Sequence, residues 1–366
     1  MPRLAGLPRS PAPRRSEPLA LARAIAGLVL ALACGAVPAV AEPAALHIIG
    51  AADAIAPALL DGFAQESGAS VSADVLDDPA ALERSLLAGA PGYDLAVVPG
   101  ESLARLIAAK ALAPLGDGLA GAVGQAAPPL RAAMAISDAG NRYAAPYMWG
   151  RLGLGFDARA LREKLGPALP DGWGWLFKAD LAARLKDCGI AVLDAPRMLL
   201  PAALRILGLP VTGPVATPAW SRAAEALMRV RAAIRRFLPE AALADALAGG
   251  DVCLAVAESR TVTLAARRAK AIGSEAEIVF VAPREGAPLW FDALVIPKAA
   301  ANAATARAFI AYALRPEVAR ANAAWLGEDS ALTALAGAEQ DFSPPAPDAR
   351  QQAAFDRLWQ RVKAVR

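Results

Sequence analysis

The stretch LHIIGAADAIAP, residues 46–57, reads as an apolar strand, then a small loop, then a helix opened by proline. The loop carries a single carboxylate, Asp53, among alanines and a glycine. The alternation continues to about Leu115: helix APALLDGFAQESGA, strand SVSADVL, helix DPAALERSLLAG, strand DLAVV. Asp78-Pro79 supplies a helix start, and Gly68 and Gly89 supply stops. This pattern predicts an α/β lobe with a mainly parallel sheet. Such sheets bind ligands beyond the carboxyl ends of their strands, here the loops carrying residues 50–53, Asp77 and residues 99–101.

Past NRYAAPYMWGRLGLGFD the character changes, and a second lobe begins near Gly150. A Pro/Gly/Trp-rich passage, LGPALPDGWGWLFK, leads to the strand GIAVLDAP, one long helix through WSRAAEALMRVRAAIRRFL, and the unit LADALAGGDVCLAVAES. EIVFVAPREGAPLWFDALVIPKAA returns to strands, and AATARAFIAYALRPEVARANAAWL is helical.

A chain of 366 residues with 20% charged and 56% hydrophobic residues has room for two lobes, each with a core. Residues 1–41 read as a cleaved export signal: Arg3, Arg9, Arg14, Arg15 and Arg23 precede the short apolar run AIAGLVLALACGAV, and Ala39-Val40-Ala41 offers a cleavage site. The Arg14-Arg15 pair and ALAC at 31–34 keep the twin-arginine and lipoprotein routes open beside general secretion. The leader holds five arginines and one glutamate, so the formal charge of +3 falls to −1 without it. A mature chain so balanced carries no basic bias toward nucleic acid or an anionic membrane. No later run reaches the roughly 20 apolar residues of a membrane span. Cleavage removes Cys34 and leaves Cys188 and Cys253. In an oxidising compartment such a pair most simply forms one disulfide, two buried free thiols being the other reading, and it cannot complete a tetrahedral metal site.

Catalytic constellations are missing. The one histidine, His47, sits within the first strand, and no Ser/His/Asp, Cys/His, phosphate-loop or dinucleotide pattern can be assembled. Neither a metal nor a cofactor is expected. Acidic residues instead recur at the ends of apolar strands: Asp53, Glu101, Asp194, Glu258 and Asp292. Each alone reads as a helix cap or a solvated charge. Several converging on one cleft would need a cation to offset their repulsion, and Trp149, Trp290 and Phe291 could wall it.

The stretches LHI with DAIAP, GYDLAVV, AAPYMWGRLGLGFD, LKDCGIAVLDAP, LAGGDVCLAVA, PREGA with FDALVIP, and ALRPEV keep one order from residue 46 to 320. In them the chain resembles the periplasmic putrescine/spermidine-binding proteins of polyamine ABC importers, most closely the putrescine-binding branch. The resemblance implies a two-lobed type II periplasmic binding protein fold of class α/β, each lobe a mixed sheet flanked by helices. Two crossover strands, near residues 148–155 and 279–288, would join the lobes, which close on ligand by hinge motion. The lobes would comprise residues 42–149 with 280–335, and 150–279 with 336–366. It further implies a Cys188–Cys253 disulfide, a periplasmic monomer, an inner-membrane ABC permease as partner, a polyamine as ligand and no enzymatic activity.

The resemblance also places ligand-binding residues. Asp53 falls on the aspartate of a family loop, Asn-Trp-Ser-Asp-Tyr, whose Trp and Tyr positions are Ala51 and Ala54 here. Trp290, Phe291 and Asp292 match the family's aromatic-aromatic-Asp; Glu258, Ser259, Arg260 and Thr261 replace its Trp-Ala-Gly-Asp; Glu328 falls where the family has a tyrosine. The expected site is therefore Asp53, Asp292, Trp290, Glu258, Glu101, Thr261 and Arg260. Three outcomes follow from the departures. Glu258 replaces the lost aspartate for a bulkier polyamine, or Arg260 pairs the carboxylate of an amino-acid-like zwitterion, or the site is degenerate and the protein acts as a sensor or scaffold.

Overall fold

A computed structural model describes residues 44–51, 54–76, 78–335, 337, 339–345, 347–348 and 350–365. The leader read over residues 1–41, with Cys34, and the loop carboxylate Asp53 lie outside the described residues. The strands are β1 (Ala45–Gly50), β2 (Ser70–Val75), β3 (Leu95–Pro99), β4 (Leu112–Ala113), β5 (Ala144–Asp157), β6 (Ile190–Leu193), β7 (Ile234–Leu238), β8 (Leu254–Glu258), β9 (Ile278–Val281), β10 (Leu289–Pro297) and β11 (Asp329–Ser330). They run in the order β2-β1-β3-β10-β5-β8-β6-β7, with β4 on β10 and both β9 and β11 on β5.

At one end β1 pairs parallel with β2 and β3; at the other β6 pairs parallel with β7 and β8; the middle pairings are antiparallel. The sequence dictates this locally. In β1 the two-residue period sends Leu46 and Ile48 into one core with Phe63 of the helix Pro57–Ser67, and Ile49 into another with Leu82 and Leu86 of the helix Pro79–Leu87. Asp78 caps the second helix, its side chain accepting from Ala80 N at 2.9 Å, and Gly68 ends the first at φ 70°. Among the described residues, no helix is long and apolar enough to cross a membrane.

One expectation fails locally. The long helix read through IRRFL stops at Arg229, and residues 234–238 form strand β7 on the edge of β6. Ile234 is buried while Arg235 and Arg236 are exposed, so pairing with β6 outweighs the helical continuation that the neighbouring alanines favour.

Strand β5 organises the rest. It is 14 residues long and almost wholly buried, and it belongs to both ends of the sheet. Ala144 to Arg151 pair with β10, and Leu152 to Phe156 pair with β8. The register sets Asp292 opposite Met148, Trp290 opposite Gly150 and Glu258 opposite Leu152. Residues facing each other across an antiparallel pair project to the same face, and positions two apart share that face. Asp292, Trp290 and Glu258 therefore emerge side by side over about 13 Å of one strand. Gly150 is required at the centre, because a Cβ there would lie 2.7 Å from Trp290 Cζ2 and would collide with Ser259 Oγ. Strand β11 lies alongside, pairing with Met148 and Trp149, and Phe342 bridges Pro288.

Cys188 and Cys253 are joined in a disulfide with Cα atoms 5.4 Å apart. The bond sits just before β6 and β8, where Ile190 and Leu254 pair, and so clamps the two strands at the end away from Glu258. Its sequence separation is 65. Replacing both cysteines with serine should lower unfolding free energy by about 2–5 kcal/mol, read as a lower urea midpoint. Two free thiols in the unreduced, denatured protein would contradict the bond.

Candidate ligand-binding cleft

Arg260 is the centre of a charged cluster. Its Nε donates to Glu258 Oε2 at 2.8 Å and its Nη1 to Asp292 Oδ2 at 2.7 Å. Glu240 Oε1 lies 3.1 Å from Nε, and Glu328 Oε1 lies 3.9 Å from Nη1. The guanidinium carbon stands 4.2 Å from the centroid of the Trp290 ring. Cation over aromatic face, with hydrogen-bonded carboxylates at two edges, is how a protein holds a positive group.

Each residue arrives there for a local reason. Trp290 and Asp292 leave β10 in the register set by β5. Glu258 ends β8 at the N-cap of the helix Ser259–Ala271 but makes no capping bond, which leaves its carboxylate for Arg260. Arg260 and Thr261 occupy the first turn of that helix. A cation there opposes the helix dipole by about 0.3–1 kcal/mol, so the carboxylates, not the helix, hold Arg260 in place. Glu240 begins the helix Glu240–Ala248 just after β7, and accepts from Thr261 Oγ1 at 3.1 Å. Glu328 follows Gly327, the left-handed cap of the helix Pro316–Leu326 at φ 75°. Behind the cluster, Asn322 Nδ2 donates to Tyr147 Oη at 2.7 Å, and Tyr147 Oη donates to the Ala54 carbonyl at 3.0 Å. Asn322 Oδ1 also accepts from Ala56 N at 2.9 Å, which ties the chain beyond the first loop to the same place.

Four carboxylates face one guanidinium, a surplus of three negative charges if all are ionised. Three of them are poorly solvated, the Glu328, Glu258 and Asp292 side chains being 8%, 12% and 13% exposed, while Glu240 is 38% exposed. Burial pushes Glu258 up to about 7 and Glu328 up to about 8, with Arg260 opposing and the neighbouring carboxylates adding to the rise. Burial also raises Asp292 against the pull of Arg260. Burial pulls the Arg260 guanidinium down, yet Glu258 and Asp292 outweigh it and leave it well above its ordinary value.

Of the expected residues, Arg260, Glu258, Asp292 and Trp290 come together, and Thr261 joins them through Glu240. Glu101 does not: it is about half exposed and lies 4.0 Å from Arg197. Asp53 cannot be placed, being outside the described residues. Asp194 is taken by the last helix, accepting from Trp359 Nε1 at 2.6 Å and from Lys363 Nζ at 3.0 Å. Trp149 is core rather than wall, its Nε1 donating to the Thr333 carbonyl. Glu240 is the member that sequence reasoning missed. Its signal was the proline after IRRFL, which marks a strand end once that segment is read as a strand.

Residues 58–350 match the family model of bacterial extracellular solute-binding proteins. The chain belongs to that family. It is 34% identical over 303 residues to the putrescine-binding periplasmic protein SpuD of Pseudomonas aeruginosa, covering 82% of this chain and 79% of the relative. Identity to the putrescine-binding periplasmic protein PotF of Escherichia coli is 32% over 359 residues, 93% of this chain and 96% of PotF. Among solved structures it is similar to the spermidine/putrescine ABC transporter substrate-binding protein PotD of Streptococcus pneumoniae. There the TM-score is 0.73 at 22% identity, over 87% of this chain and 98% of that one. The α/β, type II periplasmic binding fold expected from the sequence is the fold observed.

Raised carboxyl pKa values make the cluster a pH-dependent element of this solute-binding protein. Glu258 and Glu328 bind protons more tightly in the folded chain than at their ordinary value of 4.5. Their contribution to stability is therefore fully present below about 4.5 and is lost as pH rises through about 7 and 8. The thermal midpoint of the ligand-free protein should fall between pH 5 and about 8.5, and Glu328→Gln should flatten that fall. Equal slopes in a pH series on the two proteins would contradict the assignment.

Proposed function

We propose that this chain is the periplasmic solute-binding protein of an ABC importer, and that it takes a polyamine or related cationic ligand in a cleft between two lobes. The lobes are residues 42–149 with 280–335, and 150–279 with 336–366. The observation that carries the ligand's sign is the surplus of carboxylates, Glu240, Glu258, Asp292 and Glu328, around a lone guanidinium. A cation entering there meets charges already stripped of water, where attraction is stronger than at the surface. The names of SpuD and PotF, both putrescine-binding, support an amine ligand.

In this reading Glu258 and Arg260 form the second side of the cleft, Trp290 and Asp292 meet them from the crossover region of the first lobe, Thr261 fixes Glu240, and Asp53 is the carboxylate of the first loop. Glu101 pairs with Arg197 and links the lobes. The protein works as a monomer that delivers its ligand to an inner-membrane permease, and it does no chemistry: its two mature cysteines are spent on each other. A carboxylate-bearing ligand is the weaker reading, because the Arg260 fork is already engaged by Glu258 and Asp292.

Calorimetry over putrescine, cadaverine, spermidine, agmatine, simple monoamines and neutral amino acids tests the reading. An amine should bind, and Asp292→Asn should weaken it by about 1.5–3 kcal/mol, the range for hydrogen bonds to charged groups. Selective binding of an anion or zwitterion, untouched by Asp292→Asn, would overturn it.

A further inference from the structure

We propose that Arg260 is a tethered occupant of one cation seat in the cleft, and that the protein therefore selects a small monocation, one amine or guanidinium on an uncharged body, over a linear diamine. The inference rests on the reading of the cleft as a cation site and concerns which cation it takes.

The seat has what a dissolved ammonium or guanidinium would need. It has an aromatic face, Trp290, at 4.2 Å, and carboxylates at 2.7 and 2.8 Å from two guanidinium nitrogens. Glu240, at 3.1 Å from Nε, stands at a third point around the guanidinium. The chain itself supplies the cation. Its tether is short, for Arg260 lies two residues beyond Glu258, and Glu258 is fixed in β8 opposite Leu152. Residence there also runs against the helix dipole, so the position is held by the carboxylates rather than by helix geometry.

An incoming cation cannot take the place over Trp290, against Glu258 Oε2 and Asp292 Oδ2, that the guanidinium fills. A carboxyl group remains for it nonetheless, and an arriving cation favours its ionised form. One guanidinium neutralises one of four carboxylates, and Glu328, at 3.9 Å, lies beyond hydrogen-bond reach of Arg260. Glu328 is thus the buried carboxylate that Arg260 leaves free for a ligand. A diamine whose second ammonium must reach the Trp290 seat meets a like charge, which repels it there. A monocation bound beside Glu328 meets no such conflict.

The test compares putrescine with n-butylamine, the same four-carbon chain carrying one ammonium instead of two. By calorimetry, wild type should bind n-butylamine at least as tightly as putrescine. Arg260→Ala should shift the putrescine to n-butylamine affinity ratio at least tenfold toward putrescine. Guanidinium at low millimolar concentration should raise the thermal midpoint of Arg260→Ala by more than that of wild type, because only the variant has the emptied Trp290 seat to refill. Should Arg260→Ala not fold, Arg260→Ala with Glu258→Gln, which loses one charge of each sign, carries the same comparison. Wild type that prefers putrescine, with a ratio unmoved by either variant, would overturn the tethered-cation assignment while leaving the cation reading intact. No binding of any amine by wild type or variants would overturn the cation reading itself, and this assignment with it.

Discussion

Burying several carboxylates around one guanidinium is the physical constraint on which this structure turns. Each ionised carboxylate moved out of water loses solvation that only a close opposite charge can return, and Arg260 makes hydrogen bonds to two of the four around it. The remainder is met in the folded chain by holding protons, which is why Glu258 and Glu328 lie near 7 and 8 rather than 4.5. A folding chain would gain by replacing such a cluster with apolar side chains. Its presence at the middle of the longest strand makes sense as a ligand site, where the missing positive charge comes from outside.

The cluster exists because of β5. A strand that pairs with β10 along one half and with β8 along the other brings residues about 30 positions apart to adjacent register, and Gly150 leaves room for Trp290 to lie across it. The disulfide does the complementary job at the far end of β8, fixing its start to that of β6. Strands thus carry Glu258 and Asp292, the two carboxylates bonded to Arg260, while Arg260 sits on the first turn of a helix that its charge does not favour. That asymmetry makes Arg260 the more replaceable partner.

Much of this was legible in the residues. The strand-helix alternation from Leu46 onward, the Asp78 cap and the Gly68 stop are local signals, and the structure follows them. Glu258 and Asp292 stood out as carboxylates ending apolar strands, and they meet. What could not be read is non-local. Nothing near Arg260 in sequence says that its guanidinium lies over Trp290, because that contact depends on the register of two strands on β5. Glu240 was hidden by a wrong local reading, since alanine-rich flanks made IRRFL look helical until pairing with β6 made it a strand. Asp194 looked like its fellow strand-end acids, yet a helix from the far end of the chain claims it through Trp359 and Lys363.

The cleft holds protons on its buried carboxylates until a cation takes their place. Calorimetric titration of the bound amine at pH 7 in two non-competing buffers of unlike ionisation heat, phosphate and HEPES, measures the protons exchanged on binding. A cation arriving beside Glu258 and Glu328 lowers their pKa values, so binding should release protons. Proton uptake, or binding heats identical in the two buffers, would contradict it.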